Sequence, residues 1–397
     1  MATAMTRVAT SPARPAPPEE SAERACAVAG PRAGGDGARP LPAKRPSEAE
    51  RPGERLGYVD SLRLIAAGLV LLQHLAERGG GWLARFVLAP GPGVAGVVLF
   101  FLISGYVIPF SVRSGLAWRQ FAVRRLLRIY PLYLAVLGLL AMVGASGLVE
   151  QWAGVQRLEA GAWIANVLLV QDFLGQPAIL GVSWTLPLEL GWYALFAVGL
   201  IALGERAAPV LAAAVPAGLI AMALLSLALG LRIPLGRPGL IHAAVLGWQA
   251  CRLRSGALSA PAFAWNAAAF MGVTWLTAIV SFGHFAHARI SLSQVLGPWT
   301  FATLLFLAVV LFGPFRSARV LATGWLPRLG AASFSLYLLH PLAIACSAQY
   351  AGRAFVPVAL VATAGLAMAG WCLIERPGIT LAKRLTARSG ADRARLA

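Results

Sequence analysis

The apolar residues of this chain gather in runs of roughly 20, the length of one helical bilayer crossing, instead of recurring at amphipathic spacing. Lipid offers backbone groups no hydrogen-bond partner, so such runs constrain the chain to helices. With 58% hydrophobic and 13% charged residues, the reading is an all-α polytopic membrane protein. About ten transmembrane helices are predicted, near 59–77, 94–111, 130–149, 184–203, 208–230, 238–250, 261–281, 297–313, 331–351 and 354–374. The sixth is the shortest.

A net charge of +18 would suggest nucleic acid in a soluble protein, but in a membrane chain Lys and Arg first report topology. With the N-terminus inside, the inner loops 112–129, 204–207, 251–260 and 314–330 and the segment after 374 hold seventeen Lys and Arg. The outer loops hold seven: Arg78, Arg85, Arg157, Arg232, Arg237, Arg289 and Arg353. This bias predicts cytoplasmic N- and C-termini and the lipid bilayer, not nucleic acid, as the partner. Residues 1–56, rich in Pro, Ala and Arg, read as a disordered cytoplasmic tail with no cleavable signal peptide. Residues 57–378 form the transmembrane domain and 379–397 a basic cytoplasmic tail. Cys26, Cys251, Cys346 and Cys372 lack paired spacing, so neither a disulfide framework nor a metal site is expected. The chain has no Walker loop or Gly-rich dinucleotide fingerprint, which argues against ATP-driven and Rossmann-type mechanisms.

Arg63 and His74 interrupt the first apolar run. At about 100° per residue, eleven steps bring both to one helix face, roughly 16 Å apart along the axis. Charge at membrane depth is costly, which predicts that this face points into the protein. Arg124, Arg125 and Arg128 cluster in the inner loop and start of the third helix. Guanidinium forks match phosphate oxygens, so the cluster is a candidate phosphate site as well as a topology signal. Glu189, in Ser183-Trp-Thr-Leu-Pro-Leu-Glu189, sits a turn or so inside the fourth helix. It could orient a histidine, ligate an acceptor or neutralise Arg63. Ser333, Tyr337 and His340, at i, i+4 and i+7, form a polar stripe on the ninth helix, a candidate substrate-binding wall. His242, His284 and His287 read as solvated positions near helix ends, without a metal-ligand pattern. Glu375 and Arg376 read as a local charge pair closing the tenth helix.

Together these segments resemble the integral-membrane acyltransferase-3 family, bacterial enzymes that O-acylate cell-surface or exported polysaccharides and some secondary metabolites. The resemblance spans about residues 56–378. It rests on Arg63 and His74 in an Arg-x10-His pattern, Phe100-Phe-Leu-Ile-Ser-Gly-Tyr106, Arg124-Arg-Leu-Leu-Arg-Ile-Tyr-Pro131, Ser183-Trp-Thr-Leu with Glu189, and Ser333-Phe-Ser-Leu-Tyr-Leu-Leu-His340. It implies a multi-pass inner-membrane enzyme with acyl-CoA as co-substrate, no tightly bound cofactor, and a carbohydrate or glycolipid acceptor on the outer side. His74 would be the catalytic histidine, with Arg63 and Glu189 as partners. Arg124, Arg125 and Arg128 would hold acyl-CoA, and Ser183, Trp184, Ser333, Tyr337 and His340 the substrate. Glu189 stands alone where many relatives carry a second acidic residue beside it, and Pro187 interrupts its segment.

The chemistry agrees: acyl transfer from a thioester, acetyl being the expected group, needs a base for the acceptor hydroxyl, and imidazole suits that task. The alternative class is a proton-coupled secondary transporter of a polar metabolite, with His74, Glu189 and His340 as the relay. Such transporters often show broken helices in repeated halves, and no repeat is visible here.

Overall fold

The computed structural model describes residues 56–111, 118–285 and 290–396, without the side chains of residues 82, 83 and 388–396. The N-terminal tail and His287 lie outside the described residues. Ten long helices follow one another: α1 (Gly57–Gly79), α2 (Pro92–Ser111), α3 (Trp118–Ser146), α4 (Thr185–Leu203), α5 (Ala207–Leu229), α6 (Gly236–Arg254), α7 (Ala260–Ala278), α8 (Ser293–Leu311), α9 (Ser333–Tyr350) and α10 (Phe355–Gly370). A π-helical turn, Trp371–Glu375, leads into α11 (Arg376–Leu396), so the expected basic tail is helical. By length and composition, seven helical stretches can cross a bilayer, and an eighth if the bent pair 319–330 and 333–350, 51° apart, is one span. One of the seven, 181–229, is 49 residues long. It exceeds a bilayer and divides into α4 and α5 at Gly204, whose φ of +54° suits glycine. The chain is a multi-pass, all-helical membrane protein.

The centre of the bundle is α2, which packs against α1, α6 and α8. Two glycines set how closely α2 and α6 approach. A Cβ on Gly105 would run into the carbonyl of Ala244, and one on Gly247 into the carbonyl of Leu102. The helix that looked shortest in sequence is thus a full 19-residue element. Residues 242–251 of α6 are buried without exception, so protein rather than lipid surrounds them and polar side chains are admissible. His242 is accordingly not solvated: it is 4% exposed and meets Phe270 edge-on at 4.9 Å. His284, by contrast, is exposed.

Helix α3 starts a dozen residues before its apolar run. Arg119, Arg124, Arg125 and Arg128 are good helix formers, so the arginine cluster stands on regular helix rather than in a loop. The connection from α3 to α4 folds around the buried side chain of Asn166, which donates to the carbonyls of Ala162 and Pro177 at 2.9 and 2.8 Å and accepts from the Ile179 amide at 3.0 Å. Pro187 falls in the first turn of α4, where a missing N–H costs nothing, so it does not interrupt the helix. Glu375 does not close α10 by pairing with Arg376. It is 1% exposed and accepts a hydrogen bond from Ser335 of α9 at 2.7 Å, because the π-turn swings it inward.

Candidate active site

An empty volume of about 800 Å³ lies where α1, α2, α3, α4 and α9 converge. Arg63, Arg125, Arg128, Glu189, Ser333 and Tyr337 all line it, joining four helices that are distant in sequence. Residues to which the sequence reading gave no separate role complete the walls: Phe100 and Ser104 from α2, and Thr185 and Tyr193 from α4.

The arginines are held differently. Arg63 pairs with Asp60, one turn back on α1, at 3.2 Å. Arg125 donates to Ser111, and its guanidinium stands over the rings of Tyr193 and Phe121 at 5.2 and 5.4 Å. Its Nε is buried without a partner. Arg128 makes no hydrogen bond or close ion pair among the described residues, and it feels the fields of Glu375, Glu189 and Asp60. Glu189 accepts the hydroxyl proton of Tyr193. The wall therefore presents three guanidiniums and one carboxylate, while Asp60 and Glu375, which offset part of that charge, stand behind it. Such a wall favours an anionic occupant.

Arg124 is absent from the cavity. Its Nε donates to Thr386 of α11 at 2.9 Å, and Gln120 donates to the Thr386 carbonyl at 3.1 Å, so this end of α3 is fastened to the C-terminal helix. Ser183 is buried and takes a hydrogen bond from Gln171 at 3.1 Å. Trp184 lies under the Arg237 guanidinium at 5.6 Å, which also pairs with Asp172 at 3.6 Å.

His74 does not line the cavity either, but it is connected to it. Tyr337 hydrogen-bonds Thr185 at 3.0 Å and the Val182 carbonyl at 2.9 Å, with its ring 6.1 Å from that of His340. His340 in turn stacks on His74, centroids 5.2 Å apart and planes 26° apart. The polar stripe of α9 thus runs from the cavity to the half-buried His74. The carboxylate that bonds His74 is not Glu189 but Glu77, at 2.8 Å from Nδ1. Sequence reasoning passed over Glu77, Asp60 and Tyr193, though each stands three or four residues from a partner on one helix face, a spacing that signals contact. Among the described residues no cluster of His, Cys, Asp and Glu could hold a metal ion.

The model of an acyltransferase domain, acyltransferase-3, matches residues 56–376. The chain belongs to the acyltransferase-3 family. Within it, the chain is similar to the acyltransferase MdmB of Streptomyces mycarofaciens, 32% identical over 154 residues, covering 36% of this chain and 38% of that protein. It is also similar to nodulation protein 10 of Rhizobium leguminosarum bv. viciae, 30% identical over 168 residues, covering 37% of this chain and 45% of that protein. The chain thus spans less than half the length of these curated relatives. No solved structure matches.

Proposed function

We propose that the protein is an inner-membrane O-acyltransferase that moves an acyl group, acetyl in the first instance, from cytoplasmic acyl-CoA to a hydroxyl of a carbohydrate or related acceptor on the outer side. The observation that carries the reading is the cationic cavity joined by Tyr337 and His340 to His74. The bare Nε of Arg125 and the bare hydroxyl of Ser104 in that wall suit phosphate oxygens or pantetheine amides, since buried polar atoms otherwise go unpaired at a cost. Arg63, Arg125 and Arg128 hold the donor. The thioester extends along α1, whose roughly 16 Å between Arg63 and His74 is comparable to the length of a pantetheine arm. No tightly bound cofactor is needed.

In the transfer step, the acceptor oxygen attacks the thioester carbonyl carbon while its proton passes to the imidazole of His74. The tetrahedral intermediate collapses with cleavage of the carbon–sulfur bond, and the departing thiolate takes the proton from the imidazolium. The products are an O-acyl ester and free CoA.

The test is release of CoA from radiolabelled acetyl-CoA by the purified protein in nanodiscs. Wild type should turn over donor, and His74→Ala should abolish turnover while retaining CoA binding. If neither protein binds any acyl-CoA, the donor assignment fails and transport becomes the reading to test.

A further inference from the structure

The geometry points to Glu77 as the positioning residue of His74, fixing its tautomer so that Nε2 is the nitrogen that meets the acceptor hydroxyl. The inference rests on the acyltransferase reading above and adds to it a residue outside the motifs that carry the family resemblance.

Glu77 lies one turn beyond His74 on α1, and its Oε2 is 2.8 Å from the imidazole Nδ1. A carboxylate only accepts, so Nδ1 carries the hydrogen and Nε2 keeps its lone pair. Among the described residues Nε2 makes no hydrogen bond. Glu77 is exposed, yet it is held in place. Its other oxygen accepts from Gln73 Nε2 at 2.8 Å, and Gln73 Oε1 accepts from the Gly93 amide at the start of α2 at 2.7 Å. That last bond ties the relay to a neighbouring helix, so the carboxylate is positioned by the fold and not by α1 alone.

The second imidazole sharpens the assignment. His340 faces His74 from α9, so Glu77 and His340 are the titratable groups in contact with it. His340 Nδ1 lies 3.2 Å from the carbonyl of Leu336, which can only accept, so its Nε2 is also bare, and it is buried without a partner. Both rings thus present an unprotonated Nε2, but only His74 has a carboxylate to stabilise the imidazolium that forms when the acceptor proton arrives. Glu77 therefore selects His74 over His340 as the base. His340 supplies the ring against which His74 is held.

The experiment uses the full chain in nanodiscs, with 15N-labelled histidine and acetyl-CoA as the probe, comparing wild type, Glu77→Gln and Glu77→Leu. The 15N shifts should report the Nδ1–H tautomer for His74 in wild type and a return to the ordinary mixture in Glu77→Leu. That variant should lose about 10- to 100-fold in kcat for CoA release, part of what a general base contributes, with KM for acetyl-CoA unchanged. Glu77→Gln, which retains an accepting oxygen, should keep the tautomer and fall between. The proposal is overturned if Glu77→Leu leaves the His74 tautomer unaltered, or if it raises KM and kcat falls by less than twofold. Wild type that releases no CoA would sink the acyltransferase reading instead, and the tautomer measurement still decides the role of Glu77.

Discussion

The arginines of the cavity differ in what surrounds them. Arg125 leans on the rings of Tyr193 and Phe121, whereas Arg128 meets the cavity without a close partner. Arg128→Ala should therefore leave the fold intact and raise KM for acetyl-CoA about 10- to 100-fold, the loss of one charge-assisted contact. Arg124→Ala should leave KM unchanged, since its head is spent on Thr386; steady-state kinetics separates the two. Tyr193→Phe removes the hydroxyl that Glu189 accepts, and a carboxylate left short of a donor costs about 1–3 kcal/mol. Thermal unfolding in detergent should show it. At this scale an ionisable group interrupting an apolar run marked Arg63, which lines the cavity, whereas His74, marked in the same way, stands half-buried outside it. Glu77 was overlooked because it stands at the end of its run, where charge is unremarkable and only its spacing to His74 marks it.

Among the elements, the α2–α6 crossing depends most on a single atom. Gly105→Val places a side chain against the Ala244 carbonyl, and since backbone cannot give way as a flexible side chain does, a destabilisation of about 1–3 kcal/mol or more is expected. Thermal unfolding should register it, together with a cavity displaced from Ser104 next door. The positions of the long helices were readable because apolar length is what a bilayer selects. Two boundaries were not. Helix α3 runs back to Trp118 because arginines favour helix as much as their neighbours do, and hydropathy sees only the part in lipid. Helix α6 looked short because Arg237, Arg252 and Arg254 bound its apolar run, whereas the helix itself runs through all three.

Across the whole molecule, the positive-inside bias predicts which helix ends face the cytoplasm. In a background lacking Cys26, Cys251, Cys346 and Cys372, a membrane-impermeant maleimide applied to intact cells should modify Arg353→Cys and spare Ser317→Cys until the cells are opened. The reverse pattern would invert the topology and with it the direction of transfer. What the sequence could not convey is how far apart residues meet: five helices supply the cavity, and nothing local in Ser183–Glu189 or Ser333–His340 says that Tyr337 will reach Thr185. Nor does it disclose the fastening of α11 to α3 through Thr386. One consequence concerns Arg63 and His74, which share a single unbroken helix. That helix works as a ruler: it sets how long an arm can stretch between its two marks. One residue inserted between them turns His74 by about 100° away from His340, whereas four turn it by only about 40° and lengthen the ruler by about 6 Å. A chain so lengthened would face the right way and still come up short.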